Sequence, residues 1–179
     1  MRNKIFTAAA LAAALITVAS AGVYARQQEG QHPAKGHGHD NHTEGVNKRG
    51  DRVMGFDHTK TTHQFLLHPD GGAIKVTAND AGDKQSRDRI RKHLGHIAKM
   101  FAAGDFKAPM LIHDRTPPGV PVMQRLKSEI KYDYEEAERG ARVRIRTASP
   151  EALQAVHEFL RFQIEDHKTG DTTEVKPQG

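Results

Sequence analysis

A pattern of two alternating strands followed by a helix occurs twice in this chain, and it limits the fold more than any other feature. In the first copy, Phe65-Leu66-Leu67 reads as a short strand and Pro69-Asp70-Gly71-Gly72 as a tight turn. Asp-Gly supplies the positive-φ positions that such hairpins need. Ala73-Ile74-Lys75-Val76-Thr77 then alternates apolar and polar residues. A helix is expected over about 87–103, with Ser86 as its N-cap and Gly104-Asp105 as its stop. In the second copy, 130–135 and 141–146 alternate with period two around a turn at Arg139-Gly140. Ser149 then precedes Pro150, which is favoured at a first helical position, and a helix is expected to about Lys168. The order predicts an α+β two-layer domain: an antiparallel four-stranded sheet, one face wet, covered by two main helices in a ββα-ββα pseudo-repeat. The connector 106–129 is irregular and rich in proline, with a short helix expected over 122–129.

The flanks differ in composition. Arg2 and Lys4 precede an uncharged apolar run from Ile5 to Ala21, and small residues follow at Ala19-Ser20-Ala21 and Val23-Tyr24-Ala25. That is the grammar of a secretory signal peptide, expected over 1–25. The run is short for a membrane span, so no stable span is expected after cleavage, and the mature protein is expected in the periplasm or secreted. Residues 26–52 are polar and poor in apolar side chains, and a disordered linker is expected there. The domain then covers 53–171, and 172–179 is a polar tail.

Cysteine is absent, so an exported chain of this size must be held by its core, and thiolates are excluded as nucleophiles or ligands. The net charge of +5 is mixed in sign along the chain and forms no clustered basic face, which argues against nucleic acid as a partner. No phosphate loop, nucleophile elbow, zinc-protease helix or dinucleotide fingerprint is present.

Histidine is the compositional outlier, with twelve residues. His93, His96 and Met100 fall within an arc of about 60° on the first helix, at spacings that let two imidazoles share an ion. His157 and His167 fall on the apolar stripe of the second helix, where a ring nitrogen must find a partner; His167, near the helix end, suits the macrodipole. His58 and His63 precede the first strand, and His113 follows Met110 in the connector. The folded metal set is therefore His58, His63, His93, His96, Met100, His113 and His157. His37, His39 and His42 form a second, flexible metal-binding tract. Imidazole and thioether ligands fit copper or zinc; haem with His and Met axial ligands is a weaker expectation.

The stretch Met54-Gly55-Phe56-Asp57-His58-Thr59-Lys60-Thr61-Thr62-His63, together with His93-Leu94-Gly95-His96-Ile97-Ala98-Lys99-Met100-Phe101 and Thr116-Pro117-Pro118-Gly119-Val120-Pro121, resembles a family of small exported bacterial proteins of unknown function. The resemblance implies an extracytoplasmic location and carries no mechanism. Three functions are open at this point. One is an extracytoplasmic copper- or zinc-binding protein. Another is a structural or interaction module that presents an exposed sheet face or edge to a partner, such as another extracytoplasmic protein. The last is a hydrolase-like enzyme without a recognisable motif.

Overall fold

The computed structural model describes residues 37–177, and side chains from residue 41. The signal-peptide reading of 1–25 lies outside the described residues, as do 26–36 and the side chains of His37 and His39. The elements run α1 (His37–Met54), β1 (Thr61–His68), β2 (Gly71–Ala78), α2 (Lys84–Ala102), α3 (Lys107–His113), α4 (Val120–Arg125), β3 (Ile130–Ala137), β4 (Gly140–Thr147) and α5 (Pro150–His167). The sheet is antiparallel with order β1-β2-β4-β3. This is the expected α+β fold with its duplicated ββα unit. No helix among the described residues is long and apolar enough to cross a membrane.

Strand alternation fixes which residues face the helices. Across the sheet, register aligns His63, Val76, Ala141 and Glu136 in one row, Phe65, Ile74, Val143 and Tyr134 in the next, and Leu67, Gly72, Ile145 and Tyr132 in a third. The apolar members of these rows form the core with Ile90, Leu94, Ile97 and Phe101 of α2 and Val156, Phe159, Leu160 and Ile164 of α5. The opposite face carries ion pairs such as Arg142–Glu135 and Arg146–Asp133, both at 2.6 Å. The helices exchange places: α2 packs on β3 and β4, whereas α5 packs on β1 and β2. Gly72 is needed beneath α5, because a Cβ there would collide with Leu160 and with the carbonyl of Leu66.

Three parts differ from the sequence expectation. Residues 37–54 form α1, within the segment expected to be unstructured. Its composition hides the reason. Among its described side chains Val46 is the one fully buried hydrophobic, Val53 and Met54 pack partly buried against the core, and polar contacts add to this: His42 to Asp166 at 2.9 Å and Arg49 Nε donating to the carbonyl of Ile112 at 2.7 Å. Helix α2 begins earlier than expected, since Asp83 and not Ser86 caps it, accepting from the Ser86 N–H at 2.9 Å. The polar tail is tied down along β1, the edge strand. Asp171 accepts from the Phe65 N–H at 2.9 Å, and the Lys176 N–H donates to the Leu67 carbonyl at 3.0 Å. Unpaired groups on one sheet edge are thereby satisfied.

His157 is a structural residue of the first hairpin. Its Nε2–H reaches the carbonyls of His68 and Gly71, each at 2.9 Å, and it is buried. Replacing it by phenylalanine would fill the space and leave both carbonyls short of a donor. We expect a loss of about 1–3 kcal/mol in stability, read as a lower urea midpoint at unchanged slope.

Candidate metal centre

A cavity of about 60 Å³ lies where α2 and α5 meet above β1 and β2, and it is lined by three histidines. His63 enters from β1, His93 from α2 and His167 from the last turn of α5; Met54, ending α1, and Gln163 complete the polarisable and polar wall. The remainder is apolar, including Phe65, Leu94, Phe101 and Phe159. His63 and His167 stack at 6.0 Å with their planes 3° apart, and Phe56 contacts both His63, at 5.9 Å, and His93, at 5.6 Å.

Burial dominates the electrostatics. It pushes the His63 and His93 imidazoles down to about 4 and His167 down to about 3, with neighbouring histidines lowering each further. All three are therefore neutral at physiological pH, the form in which an imidazole offers a lone pair to a metal. The Nε2 of His63 is buried without a hydrogen-bond partner, and so is the amide nitrogen of Gln163.

A polar chain leads from this cavity to the surface. The His167 ring meets His113 edge-on at 4.9 Å. His113 is buried and donates from Nδ1 to Asp166 at 2.5 Å, and its Nε2 lies 2.9 Å from the Gln163 side-chain oxygen. Asp166, also buried, accepts in addition from His42 at 2.9 Å and from Arg115 at 3.1 Å. Burial raises the Asp166 carboxyl, but the hydrogen bonds from His113 and His42 outweigh it and hold the group below the usual carboxylate range.

The duplication shows what this space holds elsewhere in the same fold. By position within their elements, His63 of β1 corresponds to Tyr132 of β3, His93 of α2 to Phe159 of α5, and His167 of α5 to Phe101 of α2. Those three counterparts also cluster. Phe101 lies edge-on to Tyr132 at 5.8 Å and to Phe159 at 5.9 Å. One half of the domain thus carries three aromatic rings at these positions and the other half three imidazoles, with Phe101 and Phe159 also bordering the imidazole cavity.

The sequence-derived set is dispersed. His63 and His93 line the cavity together. His113 is one ring removed, held by Asp166 and Gln163. His157 belongs to the first hairpin. His96 is exposed on the outer side of α2, and Met100 packs against the core. His58 pairs through Nδ1 with Asp51 at 2.9 Å. The ligand atoms of Asp51, Asp57 and His58 lie within 4.8 Å of one another, which no other group of three or more histidines and carboxylates achieves among the described residues. The cavity nitrogens are therefore more widely spaced, and holding an ion requires the rings to turn inward. His42, assigned to a flexible tract, is engaged with Asp166. Sequence reasoning left out His167 and Met54. Aligning the two ββα copies would have pointed to His167, because it sits at the position of Phe101.

Comparison with protein-family models, with curated proteins and with solved structures finds no match to this chain.

Proposed function

We propose that this is an extracytoplasmic metal-binding protein that holds one copper or zinc ion between His63, His93 and His167, with Met54 as an additional thioether ligand. The observation that carries this reading is the replacement of an aromatic cluster by three neutral imidazoles at the equivalent positions of the fold. Placing imidazoles there carries a desolvation cost that ordinary packing does not require, and a bound ion offsets it. Imidazole nitrogen suits zinc and copper, and a thioether shifts the preference towards Cu(I). The cavity of about 60 Å³ has room for an ion with a water. Gln163 supplies an unpaired N–H that can hold a water on the ion.

Elemental analysis of the purified protein tests the reading. One ion per chain is expected. The double variant His63→Ala/His167→Ala should lose it while keeping its far-ultraviolet circular dichroism, and the double variant His37→Ala/His39→Ala should retain it. Metal content that follows only the α1 histidines would remove the cavity from consideration, and water would then be its occupant.

A further inference from the structure

The two outer edges of the sheet are related by the duplication, yet only one is covered. On β1, the chain's own tail supplies Asp171 to the Phe65 N–H and the Lys176 N–H to the Leu67 carbonyl, and Arg161 of α5 reaches the Thr173 carbonyl at 3.2 Å. The counterparts of Phe65 and Leu67 on β3 are Tyr134 and Glu136. The β3–β4 hairpin has the same register and the same two-residue turn as β1–β2. Pairs in such a ladder alternate between bonded and non-bonded, so the N–H and C=O groups of Tyr132, Tyr134 and Glu136 point away from β4. Among the described residues, none of their backbone groups has a partner on that side.

A groove of about 1240 Å³ runs beside this open edge, between β3 and the outer flank of α2. Its floor includes Tyr132 and Tyr134, and Arg89, Lys92 and Lys99 line its α2 side. Glu136 is the one acid among the lining residues, and Arg91 already pairs with it at 3.1 Å. The Tyr132 hydroxyl is buried without a partner. Gly95 stands where α5 has Arg161, the residue that grips the tail. A Cβ at Gly95 would lie 3.8 Å from the Tyr134 ring, an ordinary contact, so close packing does not demand glycine there. A mid-helix glycine costs about 1 kcal/mol, and here its effect is to leave the groove open.

We infer that the β3 edge and this groove bind an extended acidic segment of a partner protein by strand addition, on the edge equivalent to the one that the tail covers on β1. Backbone hydrogen bonds to Tyr132, Tyr134 and Glu136 align the segment. Every second side chain then points into the groove towards Arg89, Lys92 and Lys99, which selects carboxylates. The inference is independent of the metal site, although Met54 and His93 border both spaces.

Fluorescence anisotropy with labelled eight-residue peptides tests it, in the presence of a chelator so that metal plays no part. An alternating Thr-Glu peptide should bind. Three changes should each weaken binding by about tenfold or more: the Thr-Lys peptide, the Thr-Glu peptide N-methylated at every second residue, and the protein variant Lys92→Glu/Lys99→Glu. N-methylation leaves the protein untouched, so that arm does not depend on a variant folding. Equal binding of the N-methylated peptide would replace strand addition by a groove for simple anions. No binding at all, or sedimentation showing a dimer that the peptide does not disturb, would overturn the inference, the second by giving the edge to another copy of this chain.

Discussion

Acidified from pH 6.5 to pH 4, the metal-free protein is expected to lose its fold. His63, His93 and His167 have folded-state values near 4, 4 and 3, against 6.5 for an ordinary histidine. Between those limits the unfolded chain takes up protons that the folded one refuses, so stability falls as pH falls. Above pH 6.5 both states are neutral and nothing is lost. Each full shift of this size corresponds to roughly 3–5 kcal/mol. Three together rival the 5–15 kcal/mol that holds a typical domain. Asp166 does not share in this window. Its carboxyl lies below the ordinary value, so its contribution is intact above about pH 4 and disappears only below that. Circular dichroism at fixed urea should therefore show a transition between pH 6.5 and 4, and His63→Phe should make it shallower. A stability profile flat across this interval would mean that the three rings are solvated and not held in the core. One equivalent of zinc should move the transition to lower pH, since protons and metal compete for the same lone pairs.

Asp166→Ala is expected to destabilise the domain by about 3–5 kcal/mol, the range for removing one member of a buried, hydrogen-bonded ionic group. The carboxylate is 7% exposed and receives three side chains, from α1, from the end of α3 and from the loop after it. Its loss strands the Nδ1–H of the wholly buried His113 and releases His42, one of the polar anchors of α1. Because His113 lies against His167, the same variant should weaken zinc binding without touching a ligand. Thermal denaturation together with a zinc titration reads both effects. A variant that melts within a degree or two of the parent protein would show that the hydrogen-bonded group contributes little to the fold.

Strands β2, β3 and β4 were legible in the sequence because two signals agreed at each, whereas β1 showed only the short run Phe65-Leu66-Leu67 and in fact begins at Thr61. Period-two alternation set the buried face, and Asp-Gly and Arg139-Gly140 marked the turns. Helix α5 was equally plain, with Ser149-Pro150 at its start and a dense apolar stripe. Helix α1 was not legible, since His42 and Arg49 hold it by contacts with residues more than 60 positions away. The seven-residue α3 was hidden by Pro109 within it. For the candidate site, residue type pointed to His63 and His93 but helical spacing misled. His96 and Met100 share an arc with His93, yet the partners of His93 in the cavity come from β1 and α5. That grouping depends on α2 crossing to the second hairpin while α5 returns to the first, and no local pattern records such an exchange.

X-ray absorption at the zinc edge, on protein loaded with one equivalent, addresses the metal centre most directly. An ion held by His63, His93, His167 and Met54 gives a shell of three imidazole nitrogens at about 2.0–2.1 Å and one thioether sulfur, with the sulfur lost in Met54→Leu and the nitrogens reduced in His63→Ala. A shell dominated by oxygen with a single imidazole, unchanged by those substitutions, would place the ion at Asp51, Asp57 and His58 and contradict that ligand set.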